Sequence, residues 1–132
     1  MHQYTMQDQK KLIAVVGPTA SGKSELAVFL AKQIKKYKWG GYKGAEIISA
    51  DSRQVYKYLD VGTNKVSGKW TCLTNIYLFP IGKRCTLYIF TYKQVIHHCI
   101  DLVHPRKTFT VADFKQCADK AIAKIINRGN IP

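Results

Sequence analysis

Leu12-Ile13-Ala14-Val15-Val16-Gly17-Pro18-Thr19-Ala20-Ser21-Gly22-Lys23-Ser24 sets the architecture expected of this chain. An unbroken apolar run stops at Gly17, the pattern of a strand buried on both faces in a parallel sheet. Gly17 to Ser24 then satisfies G-x-x-x-x-G-K-[ST], the spacing of a phosphate-binding P-loop. Glycines let the backbone close around phosphate oxygens, and amides at the start of a helix point at the anion. Lys23 brings a mobile charge to the bridging and terminal phosphates, and Ser24 offers a hydroxyl to Mg²⁺. Gly17, Pro18, Thr19, Ala20, Ser21, Gly22, Lys23 and Ser24 are therefore the expected binding residues for a diphosphate or triphosphate. Nucleotide binding, with ATP as ligand, is the usual use of such a loop.

Outward from the loop, residues 24–36 place Leu26, Ala27, Leu30, Ala31 and Ile34 on one helical stripe and Lys32, Lys35 and Lys36 on the other face. Gly40-Gly41 ends that helix, and residues 45–49 read as a second strand. Strand, helix and strand make a βαβ unit with a right-handed crossover. In residues 66–95, two apolar and aromatic runs flank Gly82-Lys83-Arg84, which predicts a β-hairpin inserted in the main sheet. Residues 100–103 read as a short strand. A last helix starts at Thr110, with Asp113 three residues on, and ends at Gly129. Val111, Phe114, Ala118, Ala121, Ile122 and Ile125 form its apolar stripe.

The fold class expected is α/β: one P-loop NTPase-like domain over residues 1–132, a parallel sheet flanked by helices, with residues 66–95 as an insertion. A helix ending in Gly129 should feed another buried strand. The chain therefore reads as the front of a longer protein, its sheet incomplete at the C-terminus.

Beyond the second strand lies Asp51-Ser52-Arg53-Gln54-Val55-Tyr56. Ligands of open α/β sheets sit past the carboxyl ends of the strands, so Asp51 is expected beside the loop. A carboxylate there can hold Mg²⁺ through water or act as a general base; the same position also suits a turn aspartate. His97-His98 and Asp101 form a third polar group, with Asp101 able to face the same cleft. Twenty-one Lys+Arg against eight Asp+Glu give a net charge of +13, which favours polyanionic partners. Cys72, Cys85, Cys99 and Cys117 lack zinc-site spacing and read as free thiols in a reducing compartment. No signal-peptide core and no apolar run of spanning length is present, so a cytoplasmic protein with no membrane partner is expected.

These blocks, with Asp60-Val61-Gly62-Thr63-Asn64-Lys65, His97-His98-Cys99-Ile100-Asp101 and Phe109-Thr110-Val111-Ala112-Asp113-Phe114, occur in the order of one family. The chain resembles the N-terminal part of tRNA dimethylallyltransferase, the tRNA isopentenylpyrophosphate transferase. The resemblance covers most of residues 11–132 except 66–95, where the family's connection is shorter. It implies transfer of a dimethylallyl group from dimethylallyl diphosphate to N6 of an adenosine beside the anticodon, with Mg²⁺, releasing pyrophosphate. It also implies Asp51, Lys23 and Thr19 as catalytic residues, with Asp51, Ser52, Arg53 and Gln54 against the anticodon stem-loop of the tRNA, in a monomer. The family continues past this point with a Gly-Gly-Thr strand and a helical tRNA clamp. Two other readings of the residues are a P-loop small-molecule or nucleotide kinase and an inactive RNA-binding fragment.

Overall fold

A computed structural model describes residues 11–62, 64–78 and 82–132. Helix α1 (Lys23–Tyr37) begins where expected because Gly22, at φ 81, supplies a left-handed residue that turns the loop into the helix. It ends at Lys38, also left-handed, and a 3₁₀ turn over Trp39–Gly41 follows. Strand β1 (Ile47–Ile48) pairs in parallel with β4 (Val95–His98), Ile47 opposite His97 and Ile48 opposite His98. Strands β2 (Lys69–Leu78) and β3 (Gly82–Tyr92) form the antiparallel hairpin, and β3 continues the sheet onto β4. The order is β1-β4-β3-β2, a mixed sheet rather than the parallel one expected. The reason is that the hairpin, expected as an insertion on the sheet, joins it through β3, which runs antiparallel to β4. The connection at residues 79–81 lies outside the described residues.

Two strands expected from apolar runs take other forms. Residues 12–16 carry no ladder among the described residues; the Ile13 amide donates to the Pro132 carbonyl at 3.0 Å, and Leu12 and Val16 are 54% and 86% exposed. A parallel strand needs ladder partners, and apolar side chains alone do not provide them. The expected βαβ crossover is thus not closed by a 12–16 strand, and the parallel partner of β1 is β4. Residues 100–103 are likewise not a strand. The strand lies at Val95–His98, and Cys99 and Asp101, at φ 56 and 57, break the ladder just after it.

The core sits between α1 and the sheet, where Val28, Ala31 and Val95 pack with Ala45, Ile47 and Tyr92. Val28, absent from the stripe expected, is buried, whereas Leu26 of that stripe is exposed. Helix α2 (Val111–Asn127) follows its local code closely. Thr110 Oγ1 accepts from the Asp113 amide at 3.2 Å, and Asp113 accepts from the Thr110 amide at 2.8 Å, a reciprocal capping box. At the other end the Gly129 amide donates to Ile126 and the Asn130 amide to Ile125, a Schellman closure with Gly129 at φ 78. Ala121 and Ile125 are buried, while Val111 is not.

Cys72, Cys99 and Cys117 are not the free thiols expected. Cys99 and Cys117 are joined in a disulfide with Cα atoms 6.1 Å apart, and Cys72 is also disulfide-bonded. The turn that ends β4 brings Cys99 against the first half of α2, a proximity that spacing in sequence does not reveal.

Gly68, just before β2, is fixed by close approach: a Cβ there would lie 2.5 Å from Phe90 Cε1 and 2.5 Å from the Thr91 carbonyl oxygen. The oxygen belongs to the ladder and cannot move aside. Gly68→Ala is expected to destabilise the protein by about 1–3 kcal/mol, read as a lower denaturation midpoint.

Candidate active site

The loop and the segment after β1 face one another across a cleft of about 640 Å³. Gly17, Thr19, Lys23 and Ser24 line one side; Ser49, Asp51, Ser52 and Gln54 line another. Pro18, Ala20, Ser21 and Gly22 belong to the loop without lining the cleft, and Arg53 is exposed outside it. Helix α1 has no side-chain N-cap, and its first backbone bond runs from the Leu26 amide to the Gly22 carbonyl. The preceding amides are left for an incoming acceptor, at the positive end of the helix dipole. The Lys23 ammonium donates to the Pro18 carbonyl, so the lysine folds back over its own loop and stands at the mouth of the cleft. Glu25, in the first turn, is held by the last residue of β3 and the turn after it: Lys93 Nζ lies 2.6 Å and Tyr92 Oη 2.9 Å from its carboxylate. The Lys93 hydrogen bond, then that of Tyr92, keeps the Glu25 carboxyl below its ordinary range.

Asp51 is positioned by its own turn. Its Oδ1 accepts from the Arg53 amide at 2.8 Å, which anchors the carboxylate yet leaves the second oxygen available. The structural and the chemical uses of this aspartate are compatible. Ser49 Oγ donates to Gln54 Oε1 at 2.9 Å, and Gln54 Nε2 donates to the Asn64 carbonyl at 3.4 Å. The loop then docks on the stretch after β4: Asp101 donates its amide to the Gln54 carbonyl at 2.9 Å, and Leu102 to that of Val55 at 2.7 Å.

Lys65, which the sequence does not single out as a site residue, fastens this arrangement. Its side chain is 3% exposed and its ammonium reaches the Tyr56 carbonyl at 2.6 Å and the carboxylates of Asp60 and Asp101 at 3.0 Å each. Burial lowers a lysine pKa, but the Asp101 and Asp60 hydrogen bonds prevail and raise it above its usual value. Trp70 of β2 donates to the other Asp101 oxygen at 3.2 Å. Asp101 therefore ties the hairpin to the loop and does not line the cleft.

The two histidines divide by strand alternation. His97 lines the cleft between the rings of Phe90 and Tyr92, and its Nδ1 lies 3.1 Å from the Val95 carbonyl. Burial lowers its pKa, so it stays neutral near neutral pH. His98 Nε2 lies 2.7 Å from buried Glu46, which also accepts from Arg128 at 2.8 and 2.6 Å and from Asn130 at 2.8 Å. Burial alone would raise the Glu46 carboxyl; the hydrogen bonds from His98, Arg128 and Asn130 outweigh it and bring the pKa to about 2 from an ordinary 4.5. A depressed folded-state pKa stabilises the protein above the unfolded value, and the gain is lost as pH falls through the folded one. Stability is thus expected to decline from about pH 4.5 toward about pH 2, and Glu46→Gln, followed by denaturation at each pH, should flatten that decline.

Among the described residues no group of three or more His, Cys, Asp or Glu could cage a metal, and no helix is long and apolar enough to cross a membrane.

Comparison with known proteins adds to this geometry. The sequence profile of a family described as IPP transferase matches residues 89–132. Over 125 residues, 94% of this chain, the sequence is 38% identical to 30% of a tRNA dimethylallyltransferase of Finegoldia magna. A tRNA dimethylallyltransferase of Moorella thermoacetica is 38% identical over 128 residues, 97% of this chain and 32% of the relative. The crystal structure of the full-length tRNA isopentenylpyrophosphate transferase of Bacillus halodurans superposes with a TM-score of 0.66 at 35% identity, covering 94% of this chain and 31% of that one. A Staphylococcus epidermidis tRNA isopentenylpyrophosphate transferase superposes with a TM-score of 0.63 at 35% identity, covering 92% and 30%. The chain spans about a third of the length of the relatives it matches.

Proposed function

Because this chain belongs to the tRNA dimethylallyltransferase family, we propose that it forms the diphosphate-binding part of an enzyme that prenylates tRNA. The observation that carries this reading is the shared cleft, with Thr19, Lys23 and Ser24 on one side and Asp51 on the other. In the reaction proposed, the exocyclic N6 of an adenosine next to the anticodon attacks C1 of dimethylallyl diphosphate. The C1–O bond breaks, pyrophosphate departs, and the N6 proton passes to Asp51. Lys23 and the amides of residues 19–24 meet the charge that grows on the diphosphate, where such stabilisation counts most. Thr19 lines the cleft beside them and helps seat the leaving group. The free Asp51 oxygen receives the amine proton while the other keeps its bond to Arg53.

The glycine-rich loop and helix α1 are, in this reading, the P-loop of an NTPase-like domain turned from ATP to a prenyl diphosphate. The Ser24 hydroxyl suits Mg²⁺: it offers a hard oxygen in the cleft, and Mg²⁺ habitually completes its shell with phosphate oxygens and water. When bound, the ion would neutralise the departing diphosphate. The target base must leave its stack to reach the cleft. Ser52 and Gln54 would then border it, and Arg53, exposed alongside, would meet the tRNA backbone. The protein would act as a monomer in the cytoplasm.

The reading is tested by offering the full-length protein labelled dimethylallyl diphosphate, γ-labelled ATP and tRNA. Label carried from the diphosphate to tRNA, with no phosphoryl transfer from ATP, is the expected result. Phosphoryl transfer without prenylation would make the protein a kinase.

A further inference from the structure

A basic and aromatic patch lies at the far end of α1 from the cleft. Helix α1 rises about 1.5 Å per residue, so Lys23 and Tyr37 are roughly 21 Å apart along it. Tyr37 and Trp39 stack with ring centroids 6.0 Å apart and planes at 14°, and they stay 55% and 49% exposed. Lys36 Nζ stands 4.9 Å from the Tyr37 ring centroid. Lys38 turns back to the Lys43 carbonyl at 2.9 Å, which closes the turn through Gly40 and Gly41. The Lys35 stem lies beside Gly44 and the Lys43 stem beside Gly129, so the patch reaches the end of α2. From Lys35 to Lys43 the sequence is Lys-Lys-Tyr-Lys-Trp-Gly-Gly-Tyr-Lys, with no acidic and no aliphatic residue. Among the described residues, no carboxylate pairs with Lys35, Lys36, Lys38 or Lys43.

We propose that this patch is a second RNA-binding surface, in which Tyr37 and Trp39 stack on an unpaired base and Lys35, Lys36 and Lys43 contact the flanking phosphates. Nearly parallel, half-exposed rings offer a stacking surface to a base, and Lys36, whose ammonium stands over the Tyr37 ring, brings positive charge next to it. An anionic membrane suits the patch less well, because no aliphatic side chain stands between the lysines to enter it. The surface is independent of the chemistry in the cleft: it would hold RNA whether the loop bound a prenyl diphosphate or ATP.

The test is fluorescence anisotropy of the chain with labelled tRNA and with a single-stranded RNA of the same length, over a range of salt. Trp39→Ala should weaken RNA binding about fivefold or more. K35E combined with K36E should lower the slope of log affinity against log salt by roughly 1.4 to 1.8. All these side chains are exposed, and an unchanged thermal midpoint will show that the variants fold. Affinity and slope equal to the parent's would overturn the proposal. So would loss of binding to phosphatidylserine vesicles with RNA binding intact, which would make the patch a membrane contact. Lys23→Ala, tested in parallel, should leave the stacking contribution in place.

Discussion

Lys23→Ala is expected to lower kcat/KM for dimethylallyl transfer about 100- to 1,000-fold in the full-length protein. Among the described residues lining the cleft, Lys23 alone is a lysine or arginine, and in the structure its ammonium rests on the Pro18 carbonyl. A diphosphate would draw it off that carbonyl, exchanging a neutral acceptor for a doubly useful anionic one. The hydrogen bond to an ionised oxygen is roughly twice as strong as the neutral one it replaces. Because charge on the leaving group rises as the C1–O bond breaks, the loss should fall on kcat as well as on KM. Lys23→Arg should recover binding better than turnover, since the longer planar head cannot fit a site shaped for a point charge. Loss confined to KM would mean that Lys23 only gathers substrate.

Asp51→Asn is expected to reduce kcat about 100- to 10,000-fold, the range removed with a general base. The substitution is informative because the asparagine carbonyl can still accept from the Arg53 amide, as Asp51 Oδ1 does at 2.8 Å. The turn should survive, and the affinity for dimethylallyl diphosphate should barely change. A kcat equal to the parent's would leave Asp51 as a turn residue and remove the proton acceptor from the mechanism. Equilibrium binding of the diphosphate and single-turnover transfer together separate those outcomes.

Local signals in the sequence carried far into the structure, and distant partnerships did not. Helix α2 was legible end to end because Thr110, Asp113 and Gly129 act on their own neighbours. Helix α1 is legible from the glycine-lysine turn that starts it, but it ends at left-handed Lys38, ahead of the glycine pair. Gly17, Thr19, Lys23 and Ser24 share one cleft with Asp51, as the sequence leads one to expect, although the strand expected ahead of the loop does not form among the described residues. Strand β4 is masked in the sequence, since His97 and His98 interrupt its apolar pattern while buried Ile100 beyond it looks like strand. Residues 12–16 have the composition of a buried strand but hold no ladder among the described residues. The fastening role of Lys65 is not legible in the sequence because its partner Asp101 lies 36 residues away, and one more lysine in a basic chain carries no mark. The same holds for Glu46, whose partners Arg128 and Asn130 are 82 and 84 residues distant.

The central claim is that the glycine-rich loop holds a prenyl diphosphate with its reactive carbon facing Asp51. A crystal structure of the protein with Mg²⁺ and a thiodiphosphate analogue of dimethylallyl diphosphate, whose C–S bond resists cleavage, tests it most directly. The account predicts the diphosphate on the amides of residues 19–24 with Lys23 swung from Pro18 onto it, and C1 facing Asp51 across room for one amine. An analogue bound away from the loop, or a prenyl chain directed away from Asp51, would contradict it.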